Sequence, residues 1–216
     1  MDIEIVETKE IIKDTREIEQ RSEEWFTARL GRITGSRFPS LMPSSRQKDD
    51  QFSDTQLKIL KELAVEKLTG LNTEFYSNSY MQWGTDTEPA AREYYELDQW
   101  VKVKEVGFYP FGENFGDSPD GIIEGVKAVE YKCPKSTTHL DYMLDPKKLL
   151  NAYKWQCYGH MIATGLKECD LISFDPRFPE GKKMVIVNIK YDQEEADKLM
   201  ARLELANTKL MGYVNA

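Results

Sequence analysis

Three cysteines and two histidines among 216 residues leave little room for soft-metal or disulfide chemistry. Cys133, Cys157 and Cys169 are odd in number and lack Cys-x-x-Cys spacing, which argues against a disulfide framework and against a four-cysteine zinc or iron–sulfur centre. They read as free, mostly buried thiols. His139 and His160 are too few and too scattered for a histidine-rich metal site, and each reads as packed or exposed. Any metal here must be hard and oxygen-bound. No apolar run approaches the ~18 residues of a membrane span. The opening MDIEIVETKE lacks a basic n-region followed by an apolar stretch. A soluble, cytoplasmic protein is therefore expected. A basic excess is missing too: 29 Lys and Arg stand against 37 Asp and Glu, a net charge of −8. That balance argues against nucleic acid, which normally leaves a basic footprint. It describes solubility rather than one cleft, however, so a basic lining inside an acidic exterior stays open.

What is present suits one domain spanning 1–216, since 40% of the residues are hydrophobic and 11% aromatic. Ser22, Glu23 and Glu24 open a helix through Trp25, Phe26 and Leu30 that Gly31 can end. A second start signal lies at Thr34–Gly35–Ser36, and Pro43 to Gln51 reads as a loop. Ser53 and Gln56 form a capping-box pattern before Leu57, Leu60, Ala64 and Leu68, closed by Gly70. A further helix is expected from about Asn78 to Leu97, with a bend or restart near Thr87 because Pro89 sits inside it. WVKVKEVGFY, Trp100 to Tyr109, alternates as a strand. Asp145–Pro146 starts a helix carrying Leu150, Tyr153, Cys157 and Met161 on one stripe, with Gln156 beside it and an end near Gly165. Strands near Leu171–Phe174 and Met184–Ile189 and a helix over Gln193–Leu210 complete the chain. The expected class is α/β, a mixed sheet flanked by helices.

The informative stretch is SPDGIIEGVKAVEYKCP, Ser118 to Pro134. A turn at Pro119–Asp120–Gly121, a short strand at Ile122–Ile123, a turn near Gly125 and a return strand from Ala128 to Cys133 make a hairpin. With a side-chain period of two, Ala128, Glu130 and Lys132 share one face, and Val129, Tyr131 and Cys133 the other. A lone Glu-x-Lys on a strand is most often a solvated edge face. Here Asp120 lies at the preceding turn. Two close carboxylates repel by about 4 kcal/mol at 4 Å with an effective dielectric of 20, so they favour a cation between them. Mg²⁺ suits Asp120, Glu130 and the Tyr131 carbonyl because it keeps waters that serve as nucleophile. Lys132 beside it would orient the attacking water during phosphodiester hydrolysis.

Pro119–Asp120, nine intervening residues, then Glu130–Tyr131–Lys132 resembles the PD-(D/E)XK nuclease signature. RLGRITGS at Arg29–Ser36, WGTDTEPAAREYYE at Trp83–Glu96, AYKWQCYGHM at Ala152–Met161 and DPRF at Asp175–Phe178 stand in the order of the phage lambda exonuclease (YqaJ-type viral recombinase) family. The resemblance covers roughly Ser22 to Leu210. It implies a PD-(D/E)XK core and a 5′-to-3′ exonuclease that digests one strand of linear duplex DNA to mononucleotides, leaving a 3′ single strand for recombination. It also implies a homotrimer ring, a single-strand annealing protein as partner, and Mg²⁺, two per site, with Mn²⁺ able to substitute. The setting it implies is a bacterial host and a phage or prophage gene. By position, Asp120, Glu130 and the Tyr131 carbonyl match the family's metal ligands. Lys132 matches its catalytic lysine, Glu88 its upstream acid, which can reach metal through water, and Gln156 a helix glutamine lining the site. Arg29, Thr34 and Ser36 match its pocket for the terminal 5′-phosphate. The chain departs from the family at Lys135–Ser136–Thr137–Thr138, where the phage enzyme has an arginine. An endonuclease of the same fold and a non-catalytic recombination scaffold are the competing readings.

Overall fold

The computed structural model describes residues 14–43, 51–72 and 79–216. Helix α1 (Glu23–Arg29) starts where the Ser22 hydroxyl accepts from the Trp25 amide. Gly31, at φ +63°, turns the chain out of the helix, and a Cβ there would meet Lys67. Strand β1 (Ile33–Thr34), a 3₁₀ turn (Gly35–Arg37) and α2 (Phe38–Leu41) follow. Of the loop expected over Pro43–Gln51, residues 44–50 lie outside the described residues. Helix α3 (Asp54–Thr69) carries the full capping box, Ser53 and Gln56 each satisfying the other's backbone N–H, and ends at Gly70 with φ +69°. Such a cap is worth about 1 kcal/mol.

Helix α4 (Ser79–Gln99) runs through Pro89 as one helix, so the chain does not restart near Thr87. The expected start at Asn78 lies outside the described residues. An interior proline costs about 3 kcal/mol. Past it, Ala91 and Tyr95 are fully buried and the Tyr95 hydroxyl donates to Asp170. Burying one large side chain returns about 1.5–3 kcal/mol, enough to hold the C-terminal turns on the sheet.

The strand expected over Trp100–Tyr109 is also corrected. Only Lys104 pairs there, in a single bridge to Ile122, and β2 begins at Tyr109 (Tyr109–Phe111). Trp100 has φ +54°. The Val103 amide donates to the Glu96 side chain, and the amides of Gly107 and Phe108 donate to the carbonyls of Arg16 and Thr15. With its donors spent that way, the segment forms no ladder, and Val106, Gly107 and Phe108 are buried in a row rather than in alternation.

Strands β3 (Phe115–Asp117), β4 (Gly121–Ile123) and β5 (Lys127–Lys132) lead into α5 (Ser136–Leu144), which the sequence pattern does not announce. Helix α6 (Pro146–Thr164) is capped by Asp145 and closed by Gly165 at φ +77°. Strands β6 (Glu168–Phe174) and β7 (Met184–Lys190) and helix α7 (Gln193–Val214) finish the chain. One sheet has the order β1-β3-β2 and the other β4-β5-β6-β7. In the second, β5 and β6 are parallel and the other pairs antiparallel.

The fold is thus mixed α/β, and the alternation of β5 divides its core. Ala128 faces the larger cluster, with Cys157, Met161, Leu171 and Leu203, whereas Val129 and Tyr131 face a smaller one with Ala91, Tyr95 and Phe174. All three cysteines are free, with Cys157 and Cys169 buried. His139 is packed, its ring nitrogens bonded to Ser173 and the Lys182 carbonyl. Among the described residues no helix is long and apolar enough to cross a membrane.

Candidate active site

The Ser118–Pro119–Asp120 turn joins the two sheets, and Asp120 leaves it with Oδ2 accepting from the Tyr131 amide at 2.7 Å. The return strand puts Glu130 and Lys132 on one face, as period two requires, and that face meets α6. Tyr153, Gln156 and His160, spaced three and four residues apart, form one helical row against it. Glu130 Oε1 accepts from Lys132 Nζ and, at 2.7 Å, from Gln156 Nε2. Lys132 also donates to Gln156 Oε1 at 3.1 Å and stands 4.6 Å over the Tyr153 ring. Glu130 Oε2 lies 2.7 Å from His160 Nε2. On the other side of the ring, Asp117 Oδ2 is 2.9 Å from His160 Nδ1, an ion-pair contact rather than an aligned hydrogen bond. Two glycines permit this packing. A Cβ at Gly159 would lie 2.4 Å from the Phe38 ring and 2.5 Å from Asp117 Oδ2, and one at Gly35 would lie 2.0 Å from Asp117 Oδ1.

The charges follow from this crowding. Burial pushes the Glu130 carboxyl up, yet Lys132 and His160 outweigh it and hold the group at about 2. Asp120 moves the other way: burial, then the charges of Glu130 and Glu88, raise it well above the usual carboxylate range. For Lys132, burial favours the neutral amine, but Glu130 and Asp120 prevail and keep it charged. His160 is likewise raised against burial by Asp117 and Glu130.

Asp120, Glu130, Tyr131 and Lys132 line an open cleft of about 390 Å³ together with Glu88 and Arg21. Arg21 donates to Glu88 at 2.7 Å, and Arg92 lies 3.9 Å away. Among the described residues no three His, Cys, Asp or Glu side chains converge closely enough to hold a metal by themselves. The donors fit a hard divalent cation in another way. One buried carboxylate, one half-buried carboxylate and a carbonyl leave the remaining positions to water, as Mg²⁺ prefers. Burial, and after it the charges of Glu130 and Glu88, raises the Asp120 carboxyl, and a cation beside it would offset both costs.

Arg29, Thr34 and Ser36 are brought together as well. Arg29 stacks on Trp25 at 4.0 Å and donates to Thr34 Oγ1 at 3.3 Å and to Ser118 Oγ at 3.2 Å. Thr34 Oγ1 and Ser36 Oγ are 3.5 Å apart. The helix start expected here is a 3₁₀ turn in which Thr34 makes no side-chain cap. Ser118, which also accepts from Trp25 Nε1 at 3.0 Å, escaped the sequence reading although it adjoins Pro119–Asp120. So did Asp117, Arg21 and the contacts of His160; the one available signal was the spacing of four between Gln156 and His160.

Residues 24–167 match the model of the YqaJ-like viral recombinase domain. Among solved structures, the alkaline exonuclease LHK-Exo from Laribacter hongkongensis is similar to this chain at a TM-score of 0.79 and 31% identity, covering 90% of this chain and 95% of its own. LHK-Exo in complex with dAMP gives 0.80 with the same identity and coverage. A phage related exonuclease from Haemophilus somnus 129PT, 18% identical over 85% of this chain and 95% of its own, shares the fold at a TM-score of 0.71. No curated protein matches.

Proposed function

Since the chain belongs to the YqaJ-like viral recombinase family, whose solved relatives include an alkaline exonuclease, we propose that this nuclease is a Mg²⁺-dependent 5′-to-3′ exonuclease acting on linear duplex DNA. The observation that carries the reading is the buried Glu130–Lys132–Gln156 network beside Asp120, opening onto one cleft. Asp120, Glu130 and the Tyr131 carbonyl would hold the cation, and Glu88 would reach it through water. When bound, Mg²⁺ supplies positive charge that polarises the scissile phosphate and acidifies water. Lys132, held charged, donates: it orients the attacking water and meets the charge that develops on phosphate. Gln156 fixes Lys132 and Glu130 relative to each other. Arg29, Thr34 and Ser36, joined by Ser118, receive the 5′-phosphate, for which a guanidinium and hydroxyls are suited donors. LHK-Exo has been solved with dAMP, and release of mononucleotides is the matching product class here.

A homotrimer ring on the duplex, a single-strand annealing protein as partner, and the cytoplasm of a bacterial host complete the reading. End-labelled linear duplex with Mg²⁺, compared at both label positions and against a circular duplex, tests it. Release of the 5′ label as mononucleotide with the circle intact is expected. Cleavage of the circle would favour an endonuclease, and binding without nucleotide release a scaffold.

A further inference from the structure

The proposed chemistry leaves His160 without a task. It has no exposed surface, and a carboxylate stands at each ring nitrogen, Glu130 Oε2 at 2.7 Å from Nε2 and Asp117 Oδ2 at 2.9 Å from Nδ1. Desolvating such a trio costs several kcal/mol per ion, while apolar side chains of similar volume fill the same space at no such cost. Packing alone does not account for it.

The contacts supply a role. Glu130 Oε1 is occupied by Gln156 and Lys132. Were Oε2 unheld, the carboxylate plane would turn easily about its terminal torsion, which is broad for glutamate. His160 holds that second oxygen. The ring is fixed in its turn because Asp117 is fixed: its Oδ1 accepts from the Ser118 amide at 2.8 Å, and Gly35 and Gly159 pack directly against its carboxylate. The Ser118 hydroxyl accepts from Arg29 and Trp25, so the wall of the Arg29 pocket hangs on the same carboxylate.

We propose that Asp117 and His160 form a positioning pair for the reaction, locking the Glu130 carboxylate in the orientation from which it takes the divalent cation. This rests on the reading of Glu130 as a cation ligand. Neither member of the pair touches substrate or cation. They act through Glu130, as partners behind metal ligands commonly do.

The two sides of an imidazole can be replaced separately, because an asparagine amide reaches roughly where Nδ1 lies and a glutamine amide where Nε2 lies. The full chain is titrated with Mn²⁺ by calorimetry in the absence of DNA, with folding followed by near-ultraviolet circular dichroism and melting temperature. His160→Asn is expected to lose ~10-fold or more in Mn²⁺ affinity, within the range for residues behind metal ligands, and His160→Gln to recover most of it. A merely structural role would make affinity follow melting temperature in both variants instead of the side on which the amide lies. Wild-type affinity in folded His160→Asn, or an equal loss in both variants, overturns the proposal. Should His160→Asn fail to fold, Asp117→Ser, which removes the carboxylate orienting the ring, carries the test, and wild-type affinity there overturns the pair equally. Asp120→Asn separates the two layers. Unchanged Mn²⁺ affinity in it overturns the cation site and the pair with it, whereas loss in Asp120→Asn with none in His160→Asn overturns the pair alone.

Discussion

Asp120→Asn and Glu130→Gln each delete one negative charge from the same cleft, yet they are expected to move the stability of the metal-free protein in opposite directions. The Asp120 carboxyl is raised on folding, so the stability it contributes is complete below its ordinary value of 3.8 and is lost as pH rises through the raised one. At neutral pH the asparagine variant should therefore melt higher than wild type. Glu130 is lowered from 4.5 to about 2, so its contribution is present above 4.5 and lost as pH falls towards 2. The glutamine variant leaves Lys132 and His160 without their buried partner, which costs ~3–5 kcal/mol, and it should lack this acid-dependent loss. Denaturation curves across pH 2 to 7 check both signs. Turnover should fall by ~10²-fold or more in each. Arg29→Ala and Ser118→Ala should keep Mn²⁺ binding and lose much of the preference for 5′-phosphorylated over 5′-hydroxyl duplex, measured by competition of the two ends. Unchanged discrimination in Arg29→Ala would remove that residue from the mechanism. Glu130 and Lys132 were legible as neighbours because a strand period of two puts them on one face, whereas Asp120 was marked by its turn and Gln156 by the family resemblance. Asp117 was not, because its partner comes from another element and no local pattern marks it.

At the scale of elements, α6 is the piece on which the site depends, and one glycine within it and one just past its end separate packing from capping. Gly165 closes the helix at φ +77° with open space around it, so Gly165→Ala should cost ~1–2 kcal/mol through the left-handed backbone and leave turnover intact. Gly159→Ala drives a methyl into Phe38 and Asp117; overpacking of this kind costs ~1–3 kcal/mol, and here turnover should fall as well. Chemical denaturation beside steady-state rates distinguishes the two. Caps and glycine ends made α1, α3 and α6 readable from the sequence. Helix α5 was missed because Lys135 gives it no side-chain cap and its nine residues show a short period, with buried His139 held by Ser173 of β6 and Tyr142 set beside Tyr153 of α6. The segment after Trp100 was misread for the converse reason. Its alternation stops at Lys104, which alone bridges to β4, and the amides of Val103, Gly107 and Phe108 find partners outside any strand.

For the whole molecule, the net charge of −8 makes a duplex partner counterintuitive unless the proposed ring gathers its cations inward. Three copies of 25.0 kDa give about 75 kDa and a summed charge of about −24. Light scattering is expected to report that mass. A concentration-independent 25.0 kDa species would remove the ring, and with it the account of an acidic exterior guiding duplex to a basic opening. The contacts around Glu130 also have a consequence for assembly. Asp117, Asp120, Glu130, Lys132, Gln156 and His160 come from one uninterrupted stretch of chain, β3 through α6, whereas Arg29 reaches Ser118 across 89 positions. Short loops close at little entropic cost, so this stretch can assemble before the N-terminal helix docks. Apart from Glu88, the proposed catalytic side chains form a nearly contiguous cassette, and the proposed reader of the DNA end is brought to it from afar, meeting it at Ser118.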